Sequence, residues 1–305
     1  MLLLTSFLVD ILLPENDYNI SFYDKFLAQY TSITVSAIVS QSLFYPETYT
    51  DTKLEELDRD VDNIIDEIPE ASKRKREMYK VLCFGAMMDP GDIVQEKEKR
   101  TFVSDLFIQD AKKYNISNRE MIIKSLNTST FLNYFFLLED SLKYISSNDH
   151  LKGSEVISKA LKSILETEEI LDEFNSELYE RSKFFINYDS LEKTWSLLNF
   201  IRNRIIHYNG YYDEHAKDIF KKKFDNILNL YRDIDNMNTS IVLLINNFEK
   251  YTNQINEFDY LIIDDTMENI IRNISIFIME SLYICKKLKY QLNNKNCWEK
   301  SSNKY

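Results

Sequence analysis

The chain has 305 residues, of which 44% are hydrophobic and 13% aromatic, enough to pack the core of one large or two small domains. Only four glycines and four prolines occur, against the roughly 7% and 5% of an average protein, so turn signals are scarce and long helices are predicted. A net charge of -12 excludes a protein that coats nucleic acid by bulk electrostatics; the three cysteines, Cys83, Cys285 and Cys297, lack a CxxC spacing, which excludes a disulfide framework or zinc cluster and fits a reducing, cytoplasmic setting.

In chain order, Leu2 to Leu13 is apolar but has no basic leading region, carries Asp10, and is followed by no small-residue cleavage site, so it reads as a buried first helix. Ile33, Val35, Ala37 and Val39 alternate with Thr34, Ser36 and Ile38, a weak strand pattern that helical spacing matches nearly as well; a helix is preferred. Leu54, Leu57, Val61, Ile64 and Ile68 keep a three-four spacing that predicts an amphipathic helix ending at Pro69. A second helix over 72–88 is stopped by Asp89-Pro90-Gly91, and a third over 93–114 runs into a connector at Asn115 to Asn118. Residues 1–118 therefore form a helical N-terminal region, assigned as sensor or scaffold.

The next region is the most regular. Phe131, Phe135, Leu138, Leu142 and Ile145 make a narrow apolar seam suited to a helix inside a bundle. After a loop at 146–153, a long second helix is predicted from Val156 to about Asn187, with Leu161, Ile164, Leu171, Phe174 and Leu178 inward. Leu191, Trp195, Leu198 and Ile205 mark a third helix stopped by Gly210, and Asp213 caps a fourth bearing Phe220, Phe224, Ile227, Tyr231 and Ile234. Residues 119–236 thus read as an antiparallel four-helix bundle in an all-α chain. Residues 237–305 read as a helical extension: an apolar helix from Met267 to Leu292 packing on the bundle, then a polar tail frayed from 293. Arg272, Asn273 and Glu280 interrupt the apolar run 270–284 well short of the roughly 18 clean residues of a membrane span, so no membrane role is expected.

Charge is distributed unevenly. Asp51 to Glu70 holds nine acids against Lys53 and Arg59, whereas Asn199 to Arg232 holds seven Lys/Arg against four acids. Within that basic stretch lies Arg202-Asn203-Arg204-Ile205-Ile206-His207-Tyr208, at the end of the third helix. An Arg-Asn-x-x-x-His match has a chance expectation on the order of 0.01 in a chain of this composition. Arg272-Asn273 repeats the dipeptide without a following histidine.

These residues carry chemistry in their own right. RNA brings its own nucleophile, the ribose 2′-OH, so cleavage needs a base for that proton, an acid for the 5′-oxygen and a cation over the phosphorane. Histidine suits the proton transfers because imidazole titrates near neutrality, and His207 would sit in a last helical turn, where the dipole favours a cation. Arg202 offers a planar fork to phosphate oxygens, and Asn203 an amide that orients the phosphate or the 2′-OH. Positions 202 and 207 lie roughly 140° apart around a regular helix, so one protomer does not present both on one face. A two-fold dimer would bring two arginines and two histidines to one cleft.

The segment Asn199 to Tyr208, closing the third helix of a four-helix array, resembles the signature of the HEPN (higher eukaryotes and prokaryotes nucleotide-binding) family in its RNxxxH form, over residues 118–236. The resemblance implies an all-α HEPN-like bundle and a metal-independent, cofactor-free endoribonuclease with its site at a homodimer interface. Such proteins serve in toxin-antitoxin, abortive-infection or CRISPR-linked defence. Arg202, Asn203 and His207 are then catalytic, Arg204 and Tyr208 bind substrate, RNA is the partner, and an antitoxin or phage-derived trigger is implied. Family members paired with a nucleotidyltransferase carry a modified tyrosine two residues after the histidine; here Asn209 stands there and Tyr208 comes one earlier, which speaks against that form of control. Three alternatives stay open. His215 would complete the site within one chain, Glu139 and Asp140 would approach and tune His207, and the bundle could be a non-catalytic interaction or nucleotide-binding module.

Overall fold

The computed structural model describes residue 12, residues 21–42, residue 116, residues 118–232 and residues 238–302. The helices predicted over 2–13, 54–68, 72–88 and 93–114 fall outside the described residues, Leu12 apart. The chain divides into two compact units, residues 1–37 with 127–305, and residues 38–126. Among the described residues the protein is all-helical, with a single isolated β-bridge between Tyr211 and Tyr260.

The described residues form eight α-helices, in order: α1 Ser21–Ser42, α2 Asn118–Ser146, α3 Lys162–Thr167, α4 Leu171–Ser182, α5 Tyr188–Tyr208, α6 Glu214–Tyr231, α7 Thr239–Phe258 and α8 Asp265–Ser302. The alternation around residues 33–39 resolves as helix, within α1. The seam of α2 is buried as its spacing requires, with Phe131, Phe135, Leu138 and Leu142 fully enclosed. Asn187 caps α5 by accepting from Ser190 N at 3.0 Å, and Asp213 caps α6 by accepting from Ala216 N at 2.8 Å.

The long second helix expected over 156–187 is instead broken. A π-helical stretch, Val156–Leu161, leads into α3, and Glu169 (φ 51°) separates α3 from α4. Leu165 and Ile170, both buried, are five residues apart, roughly 140° around a continuous helix, so one straight helix could not turn both inward. The left-handed residue resets the phase, and Ile170 N donates back to Leu165 O at 3.0 Å to close the first segment. Lys183 (φ 51°) ends α4 in the same way.

The apolar C-terminal helix lies inside the unit rather than along one side of it. Every residue from Met267 to Tyr283 of α8 is buried, and the helix continues to Ser302, past the point where its polar composition predicts fraying. Enclosure on all sides demands internal partners for the polar residues of the run, and some have them: Glu280 accepts from Leu12 N at 2.8 Å and from Arg181 Nη1 at 2.9 Å, and Arg272 Nη2 donates to Asn269 Oδ1 at 2.5 Å, whereas Glu268 Oε1, Asn273 Oδ1 and Ser281 Oγ are enclosed without a hydrogen bond. Among the described residues no helix is long and apolar enough to cross a membrane.

Glu268, also enclosed on α8, is pushed up to about 7 by burial, against the pull of Arg272. A carboxyl raised this way holds its proton in the folded state when the unfolded chain has lost it. Its stabilising contribution is therefore complete below its ordinary 4.5 and lost as pH rises through 7. Glu268→Gln should be more stable than the wild type at pH 8, by about 1 to 3 kcal/mol, with the difference shrinking toward pH 5; urea midpoints across that range measure it.

Candidate active site

The site is built where α5 crosses α2. Trp195, on the buried face of α5, stacks on Phe135 of α2 with ring centroids 4.2 Å apart and donates its indole N–H to Gly153 O at 2.9 Å. That pairing fixes the register two turns later, where Arg202 lies over Phe136 at 4.8 Å and Phe135 at 5.5 Å. Its Nη2 is 3.7 Å from Glu139 Oε2, and its Nη1 donates to Asn203 Oδ1 at 2.8 Å. Glu139 is buried and also pairs with Lys143, one turn on, at 2.6 Å. Glu139 Oε2, Asn199 Oδ1 and Arg202 Nε are all enclosed without hydrogen-bond partners, a concentration of polar groups that an apolar helix interface does not require.

Gly153 is part of this arrangement because of space. A Cβ there would lie 2.8 Å from Glu139 Oε2 and 2.9 Å from Asn199 Oδ1, so only glycine lets the two side chains close over the turn that precedes the π-helical stretch. Neither Gly153 nor Asn199 was singled out from sequence, although a glycine in a chain with four of them is a usable signal of close approach.

His207 stands on another face. The helix stays α-helical through Tyr208, and His207 is exposed in its last turn, as are Ile206 at 38% and Tyr208 near half; Tyr211, beyond the helix end, is also half exposed. Asn209 (φ 49°) and Gly210 (φ 80°) terminate the helix together, so Gly210 is the second of two left-handed residues and not the sole stop. Gly210 N closes back on Arg204 O at 3.0 Å, and Gly210 O accepts from Leu261 N at 3.0 Å.

Arg204, assigned from sequence to the substrate, is buried and turned into its own chain. Its Nε and Nη2 donate to Tyr211 O, Nη2 sits 3.5 Å from Asp213 Oδ2, and the guanidinium lies 3.9 Å from the Tyr208 ring. It therefore fastens the turn that follows the motif. Asp213 is held below the usual carboxylate range, chiefly by the backbone N–H of Ala216 and secondarily by Arg204 and His215. Glu139 meets Arg202, and nothing in the geometry brings it to His207; Asp140 is exposed on α2, its carboxyl raised by partial burial and by Glu139. His215, on the first turn of α6, and His150 are exposed. Among the described residues no three His, Cys, Asp or Glu side chains gather as metal ligands would.

Comparison of the chain with family models, with curated proteins and with solved structures finds no match.

The close approach at residue 153 can be tested directly. Gly153→Ala should push Glu139 and Asn199 apart and destabilise the unit by about 1 to 3 kcal/mol, the usual range for overpacking a filled site. A urea midpoint within about 0.5 kcal/mol of wild type would show that these side chains yield freely.

Proposed function

We propose that this chain is a metal-independent endoribonuclease of the HEPN type, acting as a homodimer that cuts RNA by attack of the ribose 2′-OH. The observation that carries the reading is the end of α5, where an exposed His207 follows an Arg202 whose guanidinium is oriented by Glu139 and by Asn203 Oδ1. In the proposed reaction one imidazole takes the 2′-OH proton while the O2′–P bond forms. The P–O5′ bond then breaks, and an imidazolium, from His207 of the second protomer, protonates the departing oxygen. Arg202 balances charge on the phosphorane, and Asn203 orients the phosphate or the 2′-OH. Tyr208, half exposed, supplies a stacking face. The ends left are a 2′,3′-cyclic phosphate and a 5′-OH, and no step needs a metal. Arg204 has no substrate role in this proposal. The resemblance adds a role in toxin-antitoxin or abortive-infection defence, with an antitoxin or phage-derived trigger controlling the activity.

One observation favours a second reading. The side chain of Arg202 is only 18% exposed and is already paired with a buried carboxylate, as in a bundle whose arginine holds two helices together and performs no chemistry.

Cleavage separates the two. Purified protein incubated with RNA in EDTA should yield 2′,3′-cyclic phosphate ends, and His207→Ala should reduce the rate about 10² to 10⁴-fold while leaving the urea midpoint nearly unchanged. In freely exchanging mixtures an excess of His207→Ala should suppress activity more steeply than dilution; strict proportionality would move the second proton-transfer group to His215 of the same chain. Ends bearing 5′-phosphate, or activity lost with EDTA, would overturn the mechanism.

A further inference from the structure

A second feature of α5 lies toward its N-terminal half. Lys223 of α6 is half-buried against α5 and donates to Ser196 Oγ at 2.6 Å. Among the described residues it makes no ion pair, and neither do its neighbours Lys221 and Lys222, which are exposed. Lys193, one turn before Ser196, is the charge nearest to Lys223 in effect: the Lys223 ammonium is held below its usual range first by burial and then by Lys193. Lys193 itself only grazes Asp189, at 3.9 Å with both side chains about half exposed. A chain with twelve surplus negative charges thus carries Lys193 one turn from the serine that Lys223 engages, and Lys223 has no carboxylate partner among the described residues. In the free protein that juxtaposition costs free energy, and a bound anion would relieve it.

Its position along the helix says which anion. At about 100° per residue, Lys193, Ser196, Asn203 and His207 fall within an arc of about 80° on α5, and Ser196 and His207 are separated by about 16 Å of helix rise. The Lys223–Ser196 hydrogen bond places the α6 lysine beside the same stripe. We infer that Lys193, Ser196 and Lys223 form a phosphate-binding subsite that holds an RNA strand a few nucleotides away from the bond at His207. The subsite rests on the ribonuclease reading for its substrate, although its own chemistry requires only a polyphosphate strand. The subsite also reconciles an acidic protein with an RNA substrate: the attraction is local, set in one stripe, and absent from the surface as a whole.

The test uses the full chain and a fluorescently labelled single-stranded RNA with 2′-O-methyl groups throughout, which cannot be cut by 2′-OH attack. Fluorescence anisotropy gives Kd across a salt series. Lys193→Gln with Lys223→Met, the methionine preserving the half-buried stem, should weaken binding roughly tenfold at low salt and make the slope of log K against log salt shallower by about 1.4, the value for two phosphates on a single strand. Lys159→Gln with Lys162→Gln removes the same charge from exposed positions, 60% and 52% accessible, and should leave Kd within about twofold. If Lys223→Met lowers the urea midpoint, Lys193→Gln alone, at an exposed site, should still carry about half of the slope change. Equal losses in the two double variants would reduce the effect to bulk charge and overturn the subsite, as would unchanged binding in the first or no binding by the wild type. The ribonuclease reading fails separately: wild type that binds this strand through Lys193 and Lys223 yet leaves ordinary RNA uncut keeps the subsite and loses the nuclease. Cutting with an unchanged KM in the first variant does the reverse.

Discussion

Trp195 is held from two sides, by the face of Phe135 at 4.2 Å and by the carbonyl of Gly153 at 2.9 Å, and the polar arrangement at the end of α5 depends on both contacts. Aromatic pairs of this kind contribute about 0.5 to 1.5 kcal/mol beyond the area they bury, but their larger effect here is on register. Glu139 follows Phe135 by one turn of α2, and Arg202 follows Trp195 by two turns of α5. A slip of one residue in α5 would rotate Arg202 by about 100° and take its guanidinium out of reach of the carboxylate. The indole hydrogen bond adds a third body, because it brings the 153 turn down onto Glu139 and Asn199, where only a glycine fits. An apolar contact thereby positions a charge pair that could not have found its own geometry cheaply.

The same logic recurs on α8 with a different outcome. Glu280 is fully enclosed, yet its two oxygens serve Leu12 N, Tyr23 OH and Arg181, tying Leu12, α1 and α4 to one carboxylate. Tyr23 in turn stacks on Tyr283 at 4.6 Å, one turn beyond Glu280 on the same helix. A charge so well satisfied fixes which segments meet, because any other packing would strand it. At Arg202 the satisfaction is incomplete: Nε is enclosed without a partner, and Glu139 Oε2 touches the guanidinium at ion-pair range without a hydrogen bond. Glu280 therefore behaves as a structural anchor. Arg202 keeps donor capacity that the fold does not consume.

Sequence alone revealed the helices that bury one face and expose the other. Phe131 to Leu142 of α2, Leu191 to Ile201 of α5 and Phe220 to Tyr231 of α6 announce themselves by period, and the Asp213 cap by residue type. Periodicity failed where the burial pattern has no single face. The breaks at Glu169 and Lys183 use left-handed residues that are neither glycine nor asparagine, so no composition signal marks them. Enclosure of α8 on all sides erases the stripe that would have set its depth. At the candidate site, spacing singles out Arg202, Asn203 and His207, of which the structure joins only Arg202 and Asn203 directly, and Glu139 meets Arg202 and not His207. The resemblance implies a substrate role for Arg204, but adjacency to a motif says nothing about face; its inward turn is decided by Tyr211 O and Asp213, which lie beyond the helix end. Gly153 and Asn199 meet only through the tertiary register set by Trp195, and local pattern cannot contain that.

Whether one chain could bring Arg202 and His207 to a single phosphate turns on how the helix ends. The two stand about 140° apart on a helix that stays regular through Tyr208, one directed at α2 and the other outward. Unwinding the last turn would swing His207 round, but that turn is fastened at several points: Gly210 N to Arg204 O, Gly210 O to Leu261 N, Tyr212 N to Asp259 O, and the Arg204 guanidinium to Tyr211 O. Breaking such a set to move one imidazole would cost several buried hydrogen bonds at about 1 kcal/mol each, and the Gly210 approach to Leu261, with a Cβ position only 2.8 Å from that carbonyl, leaves no slack for a smaller adjustment. On the proposed reading, a second imidazole brought from outside is therefore the less costly route to a complete site. Ile206, Tyr208 and Tyr211, all exposed, flank His207 in sequence, and on the same reading they are what a two-fold partner would cover.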